Sequence, residues 1–136
     1  MPTARLNAVL AGLISVTAAA SLWIWAAAAS QKVEAWDGPY YFSRVVPALW
    51  AVAVVCGLLA PRMPWRWPAI MYATQFVLMI ARAEGPVGPL APLGFIMMAV
   101  LAAVTMVPAY LGSFVRQRRD RSAQHRHGTE GWAYAP

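Results

Sequence analysis

At 136 residues the chain is of single-domain length, yet 60% hydrophobic and 12% charged residues exclude an ordinary soluble fold, where about a quarter of residues are charged. The charges fall in short clusters separated by uncharged stretches of 15 to 31 residues, and roughly 20 helical residues cross a bilayer, so a chain this small can place such stretches only in lipid. The single cysteine, Cys56, excludes an intramolecular disulfide and zinc sites needing two or four cysteines, and the formal charge of +6 follows membrane topology, which argues against a nucleic-acid partner.

The expected fold is an all-α membrane protein. Residues 1–115 should form an antiparallel bundle of four transmembrane helices, at about 6–29, 45–60, 68–83 and 93–115, followed by a basic, disordered cytoplasmic tail over 116–136. In lipid every backbone N–H and C=O must be satisfied within its own segment, which makes these runs helices. None of them alternates as barrel strands do.

The first run, Leu6 to Ala29, has Asn7 and a few Ser and Thr as its only polar residues. Arg5, this run and Ala26-Ala27-Ala28-Ala29-Ser30 also have the layout of a secretory signal peptide. The run outlasts the roughly 7–15 apolar residues of such a peptide, and Trp23 and Trp25 stand where interface anchors belong. A retained span is therefore expected. The first outer loop, QKVEAWDGPYYFSR, turns at Asp37-Gly38-Pro39 and is aromatic enough to lie on the membrane surface. Tyr40, Tyr41 and Phe42 before the second span, and Trp65 and Trp67 before the third, mark its edges. The short loop PRMPWRWP predicts that helices two and three pack as antiparallel neighbours. The second outer loop, EGPVGPLAPLG from Glu84, reads as irregular. In the fourth span Pro108 predicts a kink near Val104–Pro108.

Basic residues orient the bundle. Arg5, Arg62, Arg66, Arg116, Arg118, Arg119, Arg121 and Arg126 fall on one side, and only Lys32, Arg44 and Arg82 on the other. The positive-inside rule then puts both termini in the cytoplasm. Ten arginines to one lysine, with abundant alanine, hint at a GC-rich bacterial genome and so at the bacterial inner membrane. Small residues four apart are the expected helix seams: Ala11, Ser15 and Ala19, with Ala8 and Gly12 beside them, Ala53 and Gly57, and Ala99 and Ala103.

No acidic residue lies within a span, which argues against a proton-coupled antiporter built on an embedded carboxylate. Gln75 is the most polar side chain near mid-span and is expected to make an interhelical hydrogen bond, whereas Asn7 and Thr105 should be satisfied locally. Arg82 should reach the headgroups beside Glu84. The sharper possibility is a polar outer site gathering Glu34, Trp36, Asp37, Tyr40, Arg44, Arg82 and Glu84, with Tyr41 helping to roof it. His125 and His127 belong to a solvated tail, so no metal is expected, and no motif implies a cofactor or a catalytic residue. The tail arginines suit anionic lipid at the inner leaflet.

Glu34-Ala35-Trp36-Asp37, Pro64-Trp65-Arg66-Trp67 and Pro92-Leu93-Gly94 together resemble a group of small four-span bacterial membrane proteins of no assigned activity. Over most of the chain the resemblance implies that architecture. It implies no activity and carries over no functional residue.

The functional expectation is a non-catalytic membrane protein acting by association with itself or a larger membrane complex, with lipids as its other partners. A channel or carrier formed by an oligomer around Gln75 is the second reading. An enzyme or lipid-binding protein using the outer polar cluster is the third.

Overall fold

A computed structural model describes residues 2–31, 35–82 and 91–130. Among these residues the chain is helical, with no strand. Helix α1 spans Pro2–Ser30 and ends at Gln31, whose φ of 53° is the left-handed conformation that commonly stops a helix. A single 3₁₀ turn, Ala35–Asp37, precedes a widened helical turn, Tyr41–Val45, that runs without a break into α2, Val46–Leu59. There the Val46 N–H donates to the Tyr41 carbonyl, five residues back. Pro47, in the first turn of α2, has no N–H to offer and tolerates this position. After the Pro61–Trp65 loop come α3, Arg66–Arg82, and α4, Ala91–Glu130.

Among the described residues three stretches are long and apolar enough to cross a membrane: Thr3–Ser30, Tyr41–Leu59 and Pro92–Ser122. With 17 residues, α3 is shorter. Large apolar side chains are exposed on every helix, among them Leu13, Val55, Val77, Ile96 and Val107. A protein in water does not leave so much contiguous apolar surface uncovered.

The helices meet through small residues. Ala11, Ser15 and Ala19 are fully buried along one face of α1, as their spacing predicts. On α1 and α2 the contacts run in opposite senses, with Ser15 against Cys56 and Trp23 against Tyr41. On α3 and α4 they do so again, Tyr72 meeting Thr105 and Phe76 meeting Phe95. Between α2 and α4 they rise together, Trp50 bonding Thr105 and Gly57 facing Ala109 and Ser113.

Several expectations need correction. Helices α2 and α3 are consecutive but touch only sparingly, and α2 makes its broadest contact with α4. The reason is steric: Gly57 lies against the Ala109 carbonyl and Gly112 against the Val54 carbonyl, so these two backbones approach closely. Ala53 and Gly57 are buried there as expected, but Ala99 and Ala103 are exposed. The buried row of α4 is Met98, Thr105, Ala109, Gly112 and Ser113, about 100° round the helix from Ala99 and Ala103. Of the aromatics expected at the membrane edges, Trp25, Phe42 and Trp65 are exposed, but Trp23, Tyr41 and Trp67 are buried in the bundle.

Helix α4 runs on through Glu130, beyond residue 115 where the fourth span is expected to end. The segment contains no proline between Arg116 and Glu130, and growth on an existing helix carries no nucleation cost. Arg116 pairs with Asp120 at 3.2 Å, and Arg118 stacks over Phe114 at 4.3 Å, both on the exposed surface.

Candidate functional site

The interior holds two linked sets of polar and aromatic side chains. In the first, the widened turn at Tyr41–Val45 sends Tyr41 inward, where it is fully buried. Its hydroxyl donates to Gln75 Oε1 at 2.6 Å and lies 3.8 Å from Met98 Sδ. The Trp23 ring meets Tyr41 edge-on at 5.8 Å and Trp36 edge-on at 6.3 Å. Trp36, half-buried, lies over Gly94 at the start of α4, where any β-carbon would collide with its ring, and Met79 borders the same spot. Residues from α1, α3 and α4, from the Ala35–Asp37 turn and from the widened turn that leads into α2 thus enclose one cluster.

The second set lies a helical turn away. Trp50 Nε1 donates to Thr105 Oγ1 at 3.1 Å, and the Tyr72 hydroxyl lies 3.0 Å from the same oxygen. Thr105 is therefore satisfied across helices α2 and α3, not locally as expected, because its place on the buried row of α4 turns it toward both. On α1, Ser15 donates to the Ala11 carbonyl at 2.8 Å and sits 3.5 Å from the Cys56 thiol. Ser113 donates to the Pro61 carbonyl at 3.2 Å, and Trp67 Nε1 to the Ala60 carbonyl at 3.3 Å, fastening the loop between α2 and α3.

The expected interhelical bond of Gln75 is present, and its partner is Tyr41, which the sequence places at the membrane edge. Of the residues expected in the polar outer site, only some are described. Tyr40 is half-buried, with the exposed Arg44 stacked over it at 5.5 Å and Trp25 at 5.8 Å on its other neighbour side. Trp36 turns inward to Trp23. Arg82 is exposed at the end of α3 and makes no ion pair among the described residues. Asp37 lies in the 3₁₀ turn, while Glu34 and Glu84 fall outside the described residues. The sequence reading did not single out Trp23, Trp50, Tyr72 or Met98 as interior partners. The one signal for them was spacing: Trp23 continues the row Ala11, Ser15 and Ala19, and Met98 lies seven residues before Thr105.

The cluster contains amide, phenol, indole and thioether groups, none of which is an acid–base pair or an activated nucleophile. Among the described residues no three of His, Cys, Asp and Glu come together as a metal site would require. No protein-family model, curated protein or solved structure matches the chain.

Proposed function

We propose that this is a non-catalytic protein of the bacterial inner membrane, which crosses it four times with both termini in the cytoplasm. It works by association with itself or with a larger membrane complex. The observation that carries this reading is the use of the interior polar groups: Tyr41–Gln75, Tyr72–Thr105–Trp50 and Ser15–Cys56 all join one helix to another. Every charged side chain whose surroundings are described is exposed. Such an interior holds helices together, and its exterior is left as the working surface. A solute path past Gln75 has less support, because that side chain is fully buried and its amide oxygen is taken by the Tyr41 hydroxyl.

Four crossings require α3 to be one of them. Its 17 residues extend about 26 Å against a hydrocarbon core of about 30 Å. Trp65 at one end and Arg82 at the other suit the remaining few ångströms, since an indole and a long cationic chain both reach the interface. Hydrogen bonds to Tyr41 and Thr105 support a position of α3 alongside the apolar helices, with the chain running up and down in turn.

Topology tests the first half of the proposal. Reporter fusions or single-cysteine labelling at each terminus are expected to place both in the cytoplasm. A C-terminus on the outside would leave three crossings and overturn it. Crosslinking in native membranes, followed by purification in nanodiscs, tests the second half. A homo-oligomer or a stoichiometric membrane partner is expected, and a lone monomer without a partner would sink the reading.

A further inference from the structure

Two fully buried polar atoms have no hydrogen-bond partner among the described residues: Nε1 of Trp23 and Nε2 of Gln75. Both belong to side chains that touch Tyr41, one at the edge of its ring and the other at its hydroxyl. Reversing the Gln75 amide would leave Oε1 over in place of Nε2, so one polar atom of that amide remains in either orientation. A buried N–H without an acceptor is costly, and in a lipid-embedded bundle bulk water does not relieve it.

We infer that Trp23, Tyr41 and Gln75 form a site for one neutral oxygen, either a water or the hydroxyl or carbonyl of a small apolar ligand. That oxygen accepts the Trp23 indole N–H and pairs with the remaining atom of the Gln75 amide. Neutrality follows from the surroundings. The facing groups are Tyr41, Trp36, Met79 and Met98, none of them charged, and an ion would sit uncompensated at low dielectric. At the loop end the cluster is bordered by the half-buried Trp36 ring, which packs over Gly94 and against Trp23.

The rival explanation is an indole N–H directed at the face of a neighbouring ring, a weak contact that needs no oxygen. Nuclear magnetic resonance of the full chain in nanodiscs, with ¹⁵N-labelled Trp and Gln, separates the two. One of seven indole signals is assigned to Trp23 by its loss in Trp23→Phe. If that variant does not fold, cross-peaks to the Tyr41 ring assign it in the unsubstituted protein. The expected result is a Trp23 indole proton moved downfield, as an N–H···O bond requires. A cross-peak at the water frequency identifies water; cross-peaks to a co-purified molecule, confirmed by mass spectrometry, identify a ligand. An upfield indole proton, Gln75 amide protons at unbonded positions, or a downfield signal with neither cross-peak would overturn the inference.

Discussion

Around Gly57 and Gly112 the helices meet backbone against backbone. Around Tyr41 and Gln75 they stand apart, with rings filling the space and one short hydrogen bond crossing it. Both arrangements answer the same problem. Lipid is as apolar as leucine, so burying apolar side chains between helices gains little, and association must come from close packing or from polar contacts. The α2–α4 seam uses the first means and the aromatic cluster the second. They differ in tolerance, because a backbone carbonyl cannot move aside while a ring or an amide can turn.

That difference orders the expected effects of substitution. The largest should come from Gly57→Leu or Gly112→Val. A β-carbon at Gly57 meets the Ala109 carbonyl and one at Gly112 meets the Val54 carbonyl, both far inside van der Waals contact. Overpacking commonly costs about 1–3 kcal/mol even where side chains can adjust. Here the backbones themselves must part, so each variant is expected to lose at least that much, read as a fall in thermal unfolding temperature in detergent. A variant as stable as the unsubstituted protein would mean that the seam is not a close contact at all.

At the aromatic cluster the loss should be smaller and shared. Tyr41→Phe keeps the ring against Trp23 but removes the 2.6 Å bond to Gln75, and a cost of about 1–2 kcal/mol is expected. With Gln75→Leu it makes a double-mutant cycle. Its coupling should fall in the range of about 0.6–1.7 kcal/mol found for interhelical bonds in membranes. Purely additive losses would show that the two groups do not cooperate, and the contrast between the two regions would collapse to packing alone. Smaller again is Thr105→Val, which keeps the shape and removes the oxygen shared by Trp50 and Tyr72. Trp50 is partly exposed and can turn to another acceptor, so that only the buried Tyr72 hydroxyl is left without its partner; about 1 kcal/mol is expected, with a shift in Trp50 fluorescence as an independent mark.

These two regions were not equally legible in the sequence. The long apolar runs and the burial of Ala11, Ser15, Ala19, Ala53 and Gly57 follow from composition and four-residue spacing, which is local information. So does an interhelical bond for Gln75, since an amide in the middle of an apolar run must find a partner. The identity of that partner is not local. Tyr41 stands beside Tyr40 and Phe42, and all three look alike as interface aromatics; only the widened turn at Tyr41–Val45 decides which one points inward. Trp23 with Trp25 and Trp65 with Trp67 pose the same ambiguity. Residues two apart on a helix point about 200° away from each other, so Trp23 and Trp25 on α1 have one ring in and one out, as do Trp65 just before α3 and Trp67 in its first turn, and the bundle chooses. The polar outer site is hard to read from sequence for a related reason. Charge along a loop records which side of the membrane it lies on, and says nothing of whether Arg44 and Arg82 meet.

The smallest expected effect tests which row of α4 is the seam. Ala99 and Ala103 have the small-residue spacing of a packing motif, but both are exposed, and Ala109 on the next row is fully buried against Gly57. Ala103→Leu should therefore change stability by less than about 0.5 kcal/mol, as surface substitutions do, while Ala109→Leu should cost several times more. The pair also separates the bundle's own packing from its association with other chains. If Ala103→Leu leaves the unfolding temperature unchanged but dissolves an oligomer seen by crosslinking, the exposed row is an intermolecular seam. In that case the spacing of Ala99 and Ala103 records a contact made outward, between chains, by the same close approach that Gly57 and Gly112 make within one.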